Sequence, residues 1–221
     1  MVGDKVWIGY NKPIMKMHDS KILKSKNFDY VEKLIIALHG YGSCGEEFYD
    51  ATKVFIPDNL KNAIFLFPNG PIPCDIGMGY QWFHLEDMSY EELRAGLELI
   101  APIVCEYIGN ISKEYACNNI NLIGFSQGAI TCFEILYYIS ISKIIAYSGL
   151  FAAPKNKDTF SKNTSVLIIH SNDDMVVPYK NAKLAQESLD ILGINSKIMT
   201  CNNIGHSISE TGWKSGFDFL N

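Results

Sequence analysis

Residues 119–130 read Asn119-Ile120-Asn121-Leu122-Ile123-Gly124-Phe125-Ser126-Gln127-Gly128-Ala129-Ile130, and their reading decides the fold. Ile120, Leu122 and Ile123 form an apolar run of strand length, which Gly124-Phe125-Ser126-Gln127-Gly128 interrupts. An apolar segment of helix length follows from Ala129. A serine with a glycine two positions away on either side suits a sharp strand-to-helix turn, because such a turn crowds the backbone and leaves room only for hydrogen. The Ser126 hydroxyl would then stand at the carboxyl end of a strand, with the Gln127 N–H facing the same space. That geometry fits an attacking alkoxide and the oxyanion it creates. The same five residues also suit a purely structural turn, so partners elsewhere in the chain must decide.

Working outward, Glu32–Leu38 is apolar on both faces, as a strand buried between two helix layers requires. His39-Gly40-Tyr41-Gly42-Ser43 follows at once. Glycines at a strand's carboxyl end let amides turn inward, so the Tyr41 N–H is the candidate second oxyanion donor beside Gln127, the alternative being a tight loop. Glu46–Phe55 carries Phe48, Ala51 and Phe55 at helical spacing, and Asn62–Phe67 reads as another buried strand. Residues 68–80 are too rich in proline and glycine for regular structure. They end on Gln81-Trp82-Phe83, where Trp82 and Phe83 are either an apolar wall for substrate or ordinary core.

Ser89 with Glu92 makes a capping box opening a helix over 89–108, in which Pro102 should kink the helix or reset its start. Strands are expected at 143–147, 165–170 and 196–200, and an amphipathic helix at 178–192, closed by Gly193. A terminal helix over 207–220 is weakened by Gly212 and Gly216. At the amino end, Val6–Tyr10 reads as an edge strand and the segment around Ile22 and Leu23 as part of an edge hairpin. Strands alternating with helices predict one α/β domain over residues 1–221, a mostly parallel sheet with helices on both faces. Catalytic residues should collect at the carboxyl ends of its strands.

The chain has 221 residues, 48% hydrophobic and 19% charged, a composition suited to a globular core. Its net charge of −5 argues against a nucleic-acid partner. No apolar run has the length of a signal peptide core or a membrane span, and the densest, Ile130–Ile141, contains Glu134. The six cysteines are scattered without a C-x-x-C pair, which fits reduced thiols in a cytoplasmic protein.

A serine needs a base to take its proton and an acid to orient that base. Of five histidines, His206 follows the last strand in a glycine-containing loop, where a mobile base or a plain surface histidine would both fit. His39 lies in the oxyanion loop, and His170 ends a strand as core. The acid lies in His170-Ser171-Asn172-Asp173-Asp174, also just after a strand. Only one of the adjacent Asp173 and Asp174 can face the imidazole. A metal site from these residues lacks any recognisable ligand spacing.

The chain resembles the phospholipase/carboxylesterase family of α/β-hydrolases, which includes acyl-protein thioesterases and bacterial carboxylesterases. The resemblance runs from about Lys33 to His206. It rests on L-H-G-Y-G at Leu38–Gly42, F-P-N-G-P at Phe67–Pro71, Q-W-F at Gln81–Phe83 and G-F-S-Q-G at Gly124–Gly128, with H-S-N-D-D-M-V-V-P at His170–Pro178 and Gly205-His206. It departs at Ser171 and Asn172, and at Tyr41, where leucine is common; these departures bear on the acyl pocket. The resemblance implies an α/β-hydrolase fold without a separate cap domain. It also implies Ser126 as nucleophile, Asp174 rather than Asp173 as acid, His206 as base, and the Tyr41 and Gln127 amides as oxyanion hole. The expected substrate is a small ester or acylated molecule with an apolar acyl group. Neither cofactor nor metal is implied, and a homodimer stays open. An acyl-protein thioesterase or lysophospholipase is the alternative physiological role, and a non-catalytic binding protein on the same fold the remote one.

Overall fold

A strand whose residues are buried on both faces is stable only between two covering layers, and the centre of this molecule is built from such strands. The computed structural model describes residues 17, 19–24, 30–58, 60, 62–74, 79–154 and 163–221. In chain order the elements are β1 (Asp19–Lys24), β2 (Lys33–Leu38), α1 (Gly45–Thr52), β3 (Ala63–Pro68), β4 (Ile72–Pro73), β5 (Tyr80–Gln81) and α2 (Tyr90–Glu114). They continue with β6 (Ile120–Phe125), α3 (Gln127–Ile135), β7 (Lys143–Tyr147), β8 (Ser165–Ser171), α4 (Lys180–Ile191), β9 (Asn195–Cys201) and α5 (Glu210–Leu220). Every residue of β3, and all of β2 but its first, is buried.

Among the described residues the main sheet has seven strands in the order β1-β3-β2-β6-β7-β8-β9. All neighbours are parallel except β1, which runs antiparallel along β3 at the edge. The period-2 alternation of a strand sorts its side chains to two cores. Leu34, Ile36 and Leu38 join Leu122, Ile144 and Ile168 under α2, α3 and α4. Ile35 and Ala37 join Phe65, Ile123, Ile145 and Ile169 under α1 and α5, where Phe48, Trp213 and Phe217 pack. Helices therefore cover both faces.

Several expectations shift. Val6–Tyr10 lies outside the described residues. The segment around Ile22 and Leu23 is a strand at the sheet edge, but its partner is β3. The helix expected over 46–55 ends at Thr52 and tightens into a 3₁₀ turn at Lys53–Phe55. In 68–80 two short strands, β4 and β5, pair with each other.

Pro102 neither ends nor restarts α2, which runs 25 residues through it. Leu93, Leu97, Ile100, Ala101, Val104 and Ile108 are buried along one face on both sides of the proline, and this packing outweighs one lost hydrogen bond. The Ser89 hydroxyl accepts from the Glu92 N–H at 3.3 Å, as a capping box requires. The Glu92 carboxylate reaches past Ser89 to the amides of Glu86, Asp87 and Met88.

Gly216 of α5 is a packing requirement. A Cβ on Gly216 would lie 2.1 Å from the Tyr147 hydroxyl oxygen, and that hydroxyl donates to the Gly212 carbonyl at 3.3 Å. The helix thus gives up propensity so that a tyrosine of β7 can fit beneath it. On the opposite face the buried Arg94 of α2 pairs twofold with the buried Glu134 of α3 and donates to the Ala152 carbonyl at 2.9 Å. This pair ties two helices to the segment after β7.

Candidate active site

Strand β6 ends at Phe125 and α3 begins at Gln127, so Ser126 alone makes the turn, at φ 51° and ψ −116°. Such a conformation is strained for any residue with a Cβ and persists only where the surroundings impose it. The two flanking glycines show what imposes it. A Cβ on Gly124 would lie 2.6 Å from the Ala129 backbone, and one on Gly128 only 2.1 Å from the Leu38 carbonyl oxygen. The start of α3 is therefore wedged against the end of β2. The Ser126 N–H donates to the Tyr147 carbonyl at 2.9 Å and anchors the turn to β7.

The loop after β2 is locked to this turn. His39 is fully buried, and its Nε2 accepts from the Gly70 N–H at 2.9 Å, so its Nδ1 carries the proton and donates to the Gly40 carbonyl at 2.7 Å. Burial pushes its pKa down to about 4, against a smaller upward pull from that carbonyl and from Glu47. The His39 carbonyl accepts from Trp82 Nε1 at 2.8 Å, and the Trp82 N–H donates to Gln127 Oε1 at 2.9 Å. Gln127 Nε2 then donates to the Phe83 carbonyl at 2.7 Å. One chain of hydrogen bonds runs from the Tyr41 loop through the aromatic segment to the first residue of α3.

Trp82 and Phe83 themselves are 0% and 1% exposed, in the core beneath the site. They are not a wall facing substrate, which corrects the first of the two expectations for them. Their contribution visible here is to hold the backbone of both loops. Tyr41, by contrast, is 52% exposed.

His39 makes the fold acid-sensitive. Its pKa in the folded protein lies below the unfolded value of 6.5, so its contribution is complete above pH 6.5 and fades as pH falls towards about 4. The loss expected from this one group is about 3 kcal/mol. Urea unfolding at pH 7 and pH 4.5 measures it: His39→Gln should lose less stability between the two than the wild type.

The other half of the site lies at the ends of β8 and β9, which run side by side with Ser171 opposite Cys201. Beyond them the two loops stay paired. The Asn172 N–H donates to the Cys201 carbonyl at 2.9 Å, Asn172 Nδ2 to Asn202 Oδ1 at 2.8 Å, and the Gly205 N–H to Asp173 Oδ1 at 3.1 Å. His206 Nδ1 and Asp174 Oδ2 follow at 2.7 Å. The two aspartates are thus divided: Asp173 takes the backbone of the histidine loop, and Asp174 takes the imidazole.

The Asp174 side chain is fully buried. Its Oδ1 accepts from the Val176 and Val177 amides at 2.9 and 2.8 Å. Burial alone would raise its pKa, but the His206 hydrogen bond and these two amides outweigh it and hold the carboxyl below its ordinary value. His170, expected as core, is buried and also touches the acid. Its Nε2 lies 3.3 Å from Asp174 Oδ2 and 2.7 Å from the Val177 carbonyl, and burial lowers its pKa. The His206 ring packs on Phe125, the residue before Ser126, with centroids 5.0 Å apart. The loop pair thereby brings its imidazole to the strand-to-helix turn.

Among the described residues no three His, Cys, Asp or Glu side chains are grouped to hold a metal ion, and no helix is long and apolar enough to cross a membrane. The arrangement is a hydroxyl on a strained turn, a buried amide-held carboxylate, and an imidazole bonded to it. It can abstract, hold and return a proton beside a carbonyl.

A family model described as Phospholipase/Carboxylesterase matches residues 21–221. Esterase YpfH of Escherichia coli is 27% identical over 207 residues, 92% of this chain and 88% of that protein. Acyl-protein thioesterase 1 homolog 1 of Dictyostelium discoideum is 27% identical over 188 residues, 79% of this chain and 83% of that one. The crystal structure of esterase PE8 superposes with a TM-score of 0.83 at 28% identity, covering 93% of this chain and 98% of that one. With the elbow, the mostly parallel sheet and this match across nearly its whole length, the chain belongs to the phospholipase/carboxylesterase family of α/β-hydrolases and is a carboxylic ester hydrolase.

Proposed function

We propose that Ser126 is the nucleophile of a Ser-His-Asp hydrolase acting on esters or thioesters of apolar acyl groups. The observation that carries this reading is the His206 Nδ1–Asp174 Oδ2 bond at 2.7 Å, on a loop packed against the residue preceding Ser126. With Nδ1–H given to the carboxylate, Nε2 is the free acceptor, and it takes the Ser126 proton as Oγ bonds to the carbonyl carbon. The carbonyl electrons move onto oxygen, which the Tyr41 and Gln127 amides receive. Each such donor is worth roughly 10²–10³ in turnover.

When the tetrahedral species collapses, the bond to the alcohol or thiol breaks and His206 returns the proton to the departing oxygen or sulfur. Water repeats the sequence and frees the acid. This chemistry needs no cofactor. Trp82 positions the oxyanion loop through the His39 carbonyl, and one domain over residues 1–221 supplies every group. An acyl-protein thioesterase role is a second reading, supported by the similarity to the Dictyostelium thioesterase homolog.

A fluorophosphonate probe with para-nitrophenyl ester turnover tests the proposal. The probe should form a single adduct on the peptide carrying Ser126 and stop turnover in the same proportion. Turnover that survives full labelling, or an adduct elsewhere, would sink it.

A further inference from the structure

On the outer side of the site a cavity of about 300 Å³ opens between α1, the Tyr41 loop and the start of α5. Phe48, Phe125, Ile208 and Trp213 give it an apolar interior, and His206 stands in its wall. Among the described residues that line it there is no lysine or arginine, and Glu47 carries the only fixed charge. Glu47 is an exposed residue of α1, and its Oε2 accepts from the Ser43 hydroxyl at 2.8 Å. Its carboxylate is thereby held at the rim.

His206 gives this cavity a chemical address. In the reaction proposed above, the imidazole must hand its proton to the departing oxygen or sulfur, so the leaving group must lie within its reach. A cavity that includes the imidazole in its wall is where that group's body extends. We propose that this cavity receives the leaving group, and that it selects neutral or cationic alcohols and thiols with an apolar body over anionic ones. The inference rests on the hydrolytic reading of Ser126 and His206 and adds the substrate class.

Size and charge set the selection. At a water's share of about 30 Å³ each, the space accommodates on the order of ten non-hydrogen atoms, roughly a substituted phenol or a short branched alcohol. A carboxylate or phosphate on that group would leave water to face Glu47 without a compensating cation, whereas an ammonium group would be attracted. Because Glu47 is solvated, the discrimination is modest and falls with added salt. A carboxylate in the first turn of α1 also favours that helix. That role alone would not distinguish one substrate charge from another.

Three acetate esters make the test, the first two isosteric: meta-trimethylammoniophenyl, meta-tert-butylphenyl and meta-carboxyphenyl acetate. Each variant is scored by its kcat/KM for the charged esters relative to its own value for the neutral one, which cancels any general loss from the substitution. Glu47→Gln should lower the cationic-to-neutral ratio and raise the anionic-to-neutral ratio, each by about threefold to tenfold at low salt. Glu47→Lys should carry both further in the same direction. Ratios equal to the wild type's in both variants, with the neutral ester still hydrolysed, would overturn the leaving-group assignment and leave the hydrolase intact. A wild-type protein that hydrolyses none of the three and takes no fluorophosphonate would instead overturn the hydrolytic reading, and this one with it.

Discussion

Ser126→Ala is expected to lower turnover of a para-nitrophenyl ester by about a millionfold, because the acyl-enzyme can no longer form. The oxyanion donors remain, so a residue of catalysis about 10³–10⁴ above water is expected to survive. The fold should be indifferent to the change. The Ser126 hydroxyl caps no amide of α3, and alanine meets the same strain at φ 51° that serine already bears. Stability should stay within about 0.5 kcal/mol of the wild type. Stopped and steady-state assays with a urea titration separate the two effects. A variant that is folded and within tenfold of wild-type turnover would remove Ser126 from the reaction.

Asp174→Asn is the second large effect, and its direction follows from the donors around the carboxylate. Oδ1 accepts from the Val176 and Val177 amides, so the amide oxygen of an asparagine must take that side. Its NH₂ group is then forced towards His206 Nδ1, which sits 2.7 Å from Oδ2 in the native protein. Two donors cannot face each other, so the imidazole must move its proton to Nε2. In that tautomer it has no lone pair to take the Ser126 proton. A loss of about 10⁴ in kcat is expected, with KM little changed. Fluorophosphonate labelling should slow by a similar factor, since it draws on the same deprotonation. Labelling at the wild-type rate would show that Asp174 does not orient the base.

The elbow was legible in the sequence because its G-x-S-x-G pattern sits in five consecutive residues between a strand and a helix. A Cβ on Gly124 would meet Ala129 just along the chain, whereas Gly128 is demanded by the end of β2, which the fold brings against it. The central strands were legible for a similar reason, since a run apolar on both faces has few other places to go. Two helices owe their continuity to packing that no local pattern shows. Pro102 disfavours a helix by itself, yet α2 runs through it with its own residues buried on both sides. Gly212 and Gly216 weaken a helix by propensity, but a Cβ on Gly216 would collide with the Tyr147 hydroxyl of β7, so that position is set by a neighbour distant in sequence.

By itself, then, the order of residues determined the alternation of strands and helices, the strained serine turn, and the strand ends where reactive groups collect. These follow from side-chain period, backbone sterics and capping, which act over a few neighbours. Only the tertiary structure decided which aspartate meets His206, that Trp82 and Phe83 lie under the site instead of lining it, and that His170 shares the acid. The meeting of Asp174 with His206 depends on the register of β8 against β9, strands about thirty residues apart, with Ser171 beside Cys201. A shift of one residue in that pairing would turn every side chain to the opposite face, and no local pattern encodes it.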